Sequence, residues 1–307
     1  MHHISHIIAT TDFSTAAERA VQRAALIAQQ LGAKLHLLHV VHPLDMYPGP
    51  ELSFDAQLYY REQILQEVNK NQTETLAASL RVQYGIPVKA ITRIGRAHTE
   101  IACYAASHAG SLIVAGARGE NTLLDLLLGS TATRLLHVAD CPVLIVKNRE
   151  AASYKQVIAA VDFSSGSADV PALARTVAPN ADIEVLHIFD AKLEAHRNKA
   201  GMSEALQQKQ RDSAQAQMEK QMDAILAESI SAAPVASARM TGQILVGYPS
   251  ASICERAKVL QADLIVIGRH SKSGLEDWLL GSVSKGVISA AKCDALLLKP
   301  LRETQGQ

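Results

Sequence analysis

Gly116-Ala117-Arg118-Gly119, nine further residues and then Gly129-Ser130 form a spaced glycine pattern that directly follows the apolar run 112–115. An incomplete copy, Gly268-Arg269-His270-Ser271 followed after nine intervening residues by Gly281-Ser282, lies 152 residues later. Glycines at fixed spacing after an apolar strand are typical of a backbone shaped to surround phosphate. Because the copy lies about half a chain length away, the pattern predicts a duplicated domain.

The order of secondary structure around the glycines supports the duplication. Val157–Val161 matches Ile7–Thr11, and Asp162-Phe163-Ser164 matches Asp12-Phe13-Ser14. In the first half, the apolar periodicity and the helix-stop signals predict strands and helices that alternate along the chain. Such alternation predicts a parallel sheet covered by helices on both faces. The predicted first-half strands are 6–11, 34–41, 88–93, 112–115 and 141–147, and the predicted helices are 15–31, 54–84, 98–108 and 129–139. In the second half the pattern predicts strands at 157–161, 185–188, 264–267 and 293–299 and a long helix at 202–229.

Length and composition limit the class of protein. A chain of 307 residues with 48% apolar residues fits two domains of about 150 residues. We predict domain 1 at 1–147, a linker at 148–154, domain 2 at 155–300 and a polar tail at 301–307. The 30 Lys and Arg balance the 30 Asp and Glu, so no basic face is expected and nucleic acid is not an expected partner.

The sequence also gives expectations for where the protein is located and whether it binds a metal. No apolar run approaches the roughly 20 residues that span a bilayer, and the start lacks a signal-peptide pattern, so we expect a cytoplasmic protein without a membrane span. The four cysteines include no C-x-x-C pair, so no metal site or redox role is predicted.

A ligand crevice is predicted where two strands end. In open parallel sheets, ligands bind at the carboxyl ends of strands where strand order reverses. Asp12 follows the first strand and Gly116 follows the fourth, so both face one crevice if these strands are neighbours. A carboxylate there can hold ribose or base hydrogens, and glycine N–H groups can hold phosphate oxygens.

Each glycine has an expected role in that crevice. Gly116 and Gly119 would supply positive φ angles and room for phosphate. Gly129 would let the chain approach again, and the helix that Ser130 opens would offer free N–H groups, with the Ser130 and Thr131 hydroxyls as further donors. The alternative is that these glycines only cap helices and tighten turns. The loop lacks G-K-[ST], so it is not a Walker A loop.

These motifs, together with Thr11-Asp12-Phe13-Ser14, Leu38-His39-Val40 and Cys141-Pro142-Val143-Leu144, resemble a universal stress protein domain. The second half resembles the same family, so the chain looks like its tandem type. The resemblance implies two doubly wound, Rossmann-like α/β domains of the adenine-nucleotide alpha hydrolase kind, each a five-stranded parallel sheet in the order 3-2-1-4-5. It also implies ATP binding where the glycine motif is kept, and Mg²⁺ is left open as an accompanying ion.

The family pattern assigns site residues by position. In the first half it implies nucleotide contacts at Thr10, Thr11, Asp12, Val40, Ala115, Gly116, Gly119, Gly129, Ser130 and Thr131. In the second half the matching positions are Asp162, Ile188, Gly268, Ser271, Gly281, Ser282 and Val283. Ser271 stands where the second glycine is expected, and Asp294 replaces the proline found at Pro142, so nucleotide binding by the second half is left open. Pro171 and the serines at 164–167 are expected to delay the first helix of that half.

The function that follows is a nucleotide-binding regulatory or interaction module of the stress response. One alternative is an interaction scaffold that binds no nucleotide, and another is a slow ATPase with Asp12 as the nearby carboxylate. No catalytic set of residues is recognisable, so an enzyme is not the first expectation. The fifth strands, 143–147 and 295–299, are predicted sheet edges, and the resemblance suggests an internal pseudo-dimer through them. A further homodimer is left open, and the sequence names no protein partner.

Overall fold

A computed structural model of the chain describes residues 3–42, 56–117, 128–164, 166–190, 204–231, 238–269 and 280–299. The chain divides into two compact units, the first being His3–Ser153 and the second beginning at Tyr154. This division falls within the segment predicted as a linker, and the outer domain bounds stay predictions.

The first unit is a parallel sheet with helices between its strands. Its strands are paired in the order β3-β2-β1-β4-β5, which confirms the predicted order 3-2-1-4-5. The described elements are β1 His6–Thr11, α1 Thr15–Leu31, β2 Lys34–Val41, α2 Ala56–Tyr84, β3 Val88–Ile94, α3 Ala97–Ala106, β4 Ser111–Gly116, α4 Ser130–Val138 and β5 Val143–Val146.

The second unit repeats the same topology. Its strands are paired in the order β8-β7-β6-β9-β10, and every pairing is parallel. The described elements are β6 Gln156–Val161, α5 Asp169–Val177, β7 Asp182–Asp190, α6 Glu204–Ser231, β8 Met240–Gly247, α7 Pro249–Val259, β9 Leu264–Gly268, α8 Ser282–Ala290 and β10 Asp294–Leu298. The sequence pattern left β8 and α7 unassigned, so the structure completes the repeat.

The central strands are buried on both faces, as their continuous apolar runs predict. Ile7, Ile8 and Ala9 of β1 are fully buried, and so are the apolar residues at 112–114 of β4. Helix α1 contributes a small-residue face to this core through Ala20, Ala24 and Ala28, which allows the helix to lie close to the sheet. Among the described residues, no helix has the length and apolar character needed to cross a bilayer.

Local signals fix where the helices after β1 and β6 begin. The Ser14 hydroxyl accepts a hydrogen bond from the Ala17 N–H at 3.2 Å and caps α1, and Gly32, with φ of 63°, ends that helix. In the second unit, α5 begins seven residues after Asp162, whereas α1 begins three residues after Asp12. The first helix of the second unit is therefore delayed, as its serines and proline predict.

Candidate functional site

The carboxyl ends of β1 and β4 lie side by side in the first unit. Ala9 is paired with Val114, and the Thr10 hydroxyl donates to the Val114 carbonyl at 3.4 Å. Asp12, which follows β1, and Gly116, which ends β4, therefore lie at the same end of the sheet. This is the strand reversal that the crevice hypothesis requires.

A tight turn holds the Asp12 carboxylate at that edge. Asp12 Oδ1 accepts hydrogen bonds from the Ser14 N–H at 3.1 Å and from the Ser14 hydroxyl at 2.6 Å. Phe13 between them has φ of 63°, a left-handed conformation that a bulky residue rarely adopts. The Phe13 N–H donates to Thr11 Oγ1 at 3.0 Å, which ties the strained residue back to the strand. Such strain persists only where surrounding contacts over-determine it.

The strained phenylalanine packs against a buried histidine. The Phe13 and His39 ring centroids are 4.6 Å apart, and His39 Nδ1 lies 2.8 Å from the Thr11 carbonyl oxygen. His39 Nε2 lies 3.1 Å from Asn69 Oδ1 on α2, so both ring nitrogens have partners. The histidine therefore links β1, β2 and α2 behind the Asp12 turn, which is a supporting role rather than that of a metal ligand.

The second unit contains the same turn. Phe163 has φ of 56°, its ring centroid lies 4.1 Å from that of His187, and His187 Nδ1 lies 2.9 Å from the Val161 carbonyl oxygen. Asp162 Oδ1 accepts from the Ser164 N–H at 3.0 Å, as Asp12 does from Ser14. A phenylalanine in the unfavourable left-handed conformation thus follows both β1 and β6, the first strands of the two units. This recurrence indicates that the turn serves to hold the carboxylate in place.

Gly116 lacks the positive φ angle that was expected, and it allows a close helix contact that the sequence did not predict. In the described residues, positive φ angles at glycine occur at Gly32, Gly85, Gly95 and Gly110, so the expectation of positive φ at Gly116 is wrong. A Cβ atom at Gly116 would lie 2.9 Å from the Ala16 carbonyl oxygen in α1. Gly116 therefore allows the first turn of α1 to pack against the end of β4. Gly119 lies outside the described residues.

Helix α4 begins directly beyond the end of β4. Gly129 is its N-cap, with φ of −61° and ψ of 152°, and its N–H donates to the Ala117 carbonyl at 2.8 Å. A glycine N-cap has no side-chain oxygen to accept from the first-turn N–H groups, so these groups can face an anion. Ser130 and Thr131 follow with exposed side chains, which adds two hydroxyl donors at the same helix end.

The second unit contains a cavity of about 860 Å³ at the corresponding place. Five residues predicted for the second site line it: Asp162, Ile188, Gly268, Gly281 and Val283. The Ser282 side chain follows the N-cap Gly281 of α8 but is not part of the described lining. Ser271 lies outside the described residues, so its effect on the site stays a prediction.

The long helix α6 supplies one wall of this cavity, which the sequence pattern did not predict. Ala214, Gln217, Met218 and Gln221 face the cavity from α6, opposite Leu186 and other apolar residues of β7. Spacings of four and three residues place 214, 218 and 221 on one side of a helix, but the sequence alone does not show that this side meets the crevice.

Hydrogen bonds inside the second unit fix the orientation of Asp162. Its Oδ1 accepts from the Ser164 hydroxyl at 2.5 Å and from the buried Ser167 hydroxyl at 2.7 Å, in addition to the Ser164 N–H. Three donors on one oxygen hold the carboxylate in a single position.

Asp294 lies at the opposite end of the sheet from this cavity. It begins β10, it is fully buried, and its Oδ2 accepts from the Tyr154 hydroxyl at 2.7 Å. The ligand crevice lies at the carboxyl ends of the strands, whereas Asp294 is at an amino end. The Tyr154 contact therefore gives Asp294 a structural role at the end of the sheet away from the cavity.

Metal ligands are not gathered in the parts of the chain that the structure describes. Within those residues, no group of three or more His, Cys, Asp or Glu side chains is placed to hold a metal ion. The four cysteines all lie in described residues, form no disulfide with one another and are spread over both units.

A doubly wound parallel α/β domain with its crevice at the β1–β4 strand ends, present twice in one chain, defines a duplicated Rossmann-like protein. The sequence model of the universal stress protein family matches residues 3–147 and 153–299. The chain belongs to the universal stress protein family, and its two matched segments make it a tandem member.

Individual relatives agree with this assignment. A universal stress protein of Mycolicibacterium smegmatis is 26% identical over 301 residues, which cover 96% of this chain and 97% of the relative. Universal stress protein A homolog 1 of Coxiella burnetii is 32% identical over 148 residues, which cover 48% of this chain and 99% of the relative. The crystal structure of a universal stress protein from Archaeoglobus fulgidus is similar in fold, with a TM-score of 0.68, 18% identity and coverage of 96% and 98% of the two chains.

Proposed function

We propose that the first unit binds ATP, accompanied by Mg²⁺, in the crevice between the ends of β1 and β4. Asp12 and the residues before it would contact adenine and ribose, with Val40 on the adenine side. The α4 N-terminus, with Gly129, Ser130 and Thr131, would hold the phosphates. Ala115, Gly116 and Gly119 would lie between these two ends.

The convergence of an oriented carboxylate and an open helix N-terminus carries this proposal. Asp12 is held by Ser14 at the end of β1, and Gly129 is held by Ala117 just beyond the adjacent strand β4. A nucleotide has hydroxyl and amine hydrogens at one end and anionic oxygens at the other. The carboxylate suits the first end, and the dipole and free N–H groups of the helix suit the second.

We infer a regulatory role rather than a catalytic one. The Ser14 hydroxyl donates to Asp12 and also accepts from the Ala17 N–H, so this hydroxyl–carboxylate pair is engaged in holding the turn and capping α1 rather than set up to attack a substrate. Binding of ATP would therefore act by ordering the crevice and changing which partners the module contacts. The pairing of the two domains through strands 143–147 and 295–299 stays a prediction.

Release of bound nucleotide tests the proposal. The purified full chain would be denatured, and the small molecules set free would be identified by chromatography and mass spectrometry. We expect ATP or ADP from the wild type and none from Gly129→Glu, whose side chain places a negative charge at the α4 N-terminus. Gly281→Glu, the equivalent change in the second unit, is the matched control and should leave the yield unchanged.

A wild-type protein that releases no nucleotide, and that binds none when millimolar ATP and Mg²⁺ are added, would contradict the proposal. The module would then be an interaction scaffold. Rapid conversion of added ATP to ADP by the wild type would instead contradict the regulatory role.

A further inference from the structure

Basic side chains gather at the amino ends of β1, β2 and β3 in the first unit, at the opposite end of the sheet from the proposed ATP crevice. His6 is paired with Lys34, and His36 is paired with Lys89. Paired residues of neighbouring parallel strands, and residues two apart on one strand, lie on the same face of a sheet. His108, just beyond α3, joins this face, with its ring centroid 5.2 Å from that of His6 and 5.0 Å from that of His36. We call His6, Lys34, His36, Lys89 and His108 the amino-end cluster.

The three imidazoles of the amino-end cluster each use Nδ1 for a contact inside the unit. His6 Nδ1 lies 3.2 Å from the Ala109 carbonyl oxygen, and His108 Nδ1 lies 2.9 Å from the Tyr104 carbonyl oxygen. His36 Nδ1 lies 2.7 Å from the Tyr104 hydroxyl. Among the described residues these rings make no hydrogen bond through Nε2, so Nε2 is the nitrogen that can take up a further proton and donate it to a ligand.

The two lysines of the amino-end cluster supply exposed positive charge at the same place. Lys34 and Lys89 are both exposed, and within the described residues neither ammonium group takes part in an ion pair. The strand spacing and the rise along a strand place their Cα atoms about 8 Å apart. Two flexible lysine stems, each with three N–H donors, can therefore reach one small anion.

The charges around His36 oppose the uptake of a proton. Burial is the largest cause that lowers the pKa of His36 to about 4. The charged groups that lower it further are those of His108, His6, Lys89 and Lys34. Tyr104 faces His36 from α3, and the guanidinium of Arg93 lies 4.9 Å from the centre of the Tyr104 ring. Each charged group that shifts this imidazole is a cation, so an anion at the cluster would supply the missing counter-charge.

The second unit has different residues at the same places of its sheet. The positions equivalent to His6, Lys34, His36 and Lys89 hold Gln156, Asp182, Glu184 and Thr241. Glu184 is engaged by Arg256 in an ion pair at 2.6 Å. The shared fold therefore does not require a basic set at this end of the sheet, and the amino-end cluster is a property of the first unit.

We propose that the amino-end cluster binds a phosphate-type oxyanion, held by Lys34 and Lys89 and by Nε2–H groups of its histidines. The bound anion and the proton on His36 stabilise each other, so binding becomes tighter as the pH falls. The proposal goes beyond the ATP crevice and does not depend on it, because it concerns the opposite end of the sheet and different residues.

A titration of the full chain with sulfate, followed through the ring-proton resonance of His36 in NMR spectra, tests the proposal. Sulfate keeps its double negative charge across the acid and neutral range, so a change in affinity with pH reports on the protein. Chloride at equal ionic strength corrects for screening, and the spectrum of His36→Gln identifies the resonance. We expect sulfate to raise the midpoint of the His36 titration by about one pH unit, which corresponds to about tenfold tighter binding to the protonated form.

Paired lysine variants test which residues hold the anion. Lys34→Gln with Lys89→Gln should weaken sulfate binding by at least tenfold and abolish the shift in the His36 midpoint. Lys70→Gln with Lys209→Gln is the matched control, because it removes the same charge from exposed positions on α2 and α6. The control should bind sulfate as the wild type does. Circular dichroism and urea unfolding would first establish that all variants fold.

Three results would overturn the proposal. The first is a wild-type His36 midpoint that is the same in sulfate and in chloride. The second is an equal loss of sulfate binding in both lysine pairs, which would show that only net charge matters, or no loss in either pair. The third is a failure of inorganic phosphate at neutral pH to shift the backbone amide resonances of Lys34 and Lys89. None of these measurements requires ATP, so the proposed function of the first unit is tested separately.

Discussion

Arg256 on α7 and Glu184 on β7 form a two-point ion pair, in which Arg256 Nε donates to Glu184 Oε1 at 2.8 Å and Nη2 donates to Oε2 at 2.6 Å. The equivalent positions in the first unit hold Tyr104 on α3 and His36 on β2, where the Tyr104 hydroxyl lies 2.7 Å from His36 Nδ1. Both units therefore link the second strand to the same helix, but one uses charges and the other uses a hydroxyl and an imidazole.

The ion pair should contribute measurably to the stability of the second unit. It is bidentate and partly buried, with side-chain exposures of 28% for Arg256 and 12% for Glu184. Hydrogen bonding to Glu184 also raises the pKa of Arg256. We expect Arg256→Met to lower the free energy of unfolding by about 1–3 kcal/mol, measured by urea denaturation.

A nearby exposed pair on the same helix provides the control. Lys258 Nζ lies 2.8 Å from Glu255 Oε2, and both side chains are largely exposed. Lys258→Met should leave the urea midpoint unchanged, because exposed pairs contribute little. Equal losses in the two variants would show that burial of the Arg256 pair is unimportant.

His36 should make the first unit sensitive to acid. Its ring centroid lies 5.3 Å from that of His6 and 5.0 Å from that of His108. Burial is the largest cause that lowers the pKa of His36 from 6.5 to about 4, followed by the positive charges of His108, His6, Lys89 and Lys34. Because the unfolded chain takes up this proton first, the stabilisation from neutral His36 is present above pH 6.5 and is lost as the pH falls toward 4.

Urea unfolding at pH 7 and at pH 4.5 measures this effect. His36→Gln keeps a polar partner for Tyr104 but cannot take up a proton, so it should lose less stability between the two pH values than the wild type does. His137→Gln, an exposed change on α4, should keep the wild-type loss. If His36→Gln loses as much stability as the wild type, then His36 is not the acid-sensitive group.

The contact between Tyr154 and Asp294 should stabilise the second unit. Tyr154→Phe removes the hydroxyl that donates to the fully buried Asp294 carboxylate. Loss of a donor to a buried charged group costs about 1–3 kcal/mol, which urea denaturation would detect. In an Asp294→Asn background the same change should cost less, since the charge is already absent. Equal costs in both backgrounds would argue that the hydroxyl acts independently of the carboxylate.

Gly116→Ala should distort the ligand crevice of the first unit. The added Cβ would lie 2.9 Å from the Ala16 carbonyl oxygen, so the start of α1 must move, at a cost of about 1–3 kcal/mol. Because α1 follows the Asp12 turn, we expect ATP affinity, measured by titration, to fall at least tenfold. Gly32→Ala places a Cβ at a left-handed position in open space, so it should cost stability without changing ATP affinity. Unchanged ATP affinity in Gly116→Ala would show that Gly116 does not contribute to ATP binding.

Continuous apolar strands were predictable from the sequence because burial on both faces leaves no polar alternation. Strand β4 illustrates this, since its apolar residues are buried and the predicted run 112–115 lies within Ser111–Gly116. Strand β8 was not predicted because it is less buried, and its sequence Met240–Gly247 mixes polar residues and glycines with apolar ones. The repeat could have located it, since Val88 in β3 and Met240 in β8 pair at equivalent places.

The chemistry of the site was only partly predictable. The spacing of Asp12 and Gly116 indicated a shared edge because strand ends follow from topology. The reason for Gly116 depends on how closely α1 approaches β4, and no pattern in the sequence reports that distance. The wall formed by Gln217 and Met218 was missed for the same reason, since helical periodicity does not set how a helix rotates against a sheet.

Equilibrium dialysis of the full chain with labelled ATP and Mg²⁺ tests the central claim most directly, because it counts ATP molecules per chain. We predict one equivalent in the wild type, none in Gly129→Glu and one in Gly281→Glu. Two equivalents of equal affinity, no binding, or a single equivalent lost in Gly281→Glu rather than in Gly129→Glu would contradict the account.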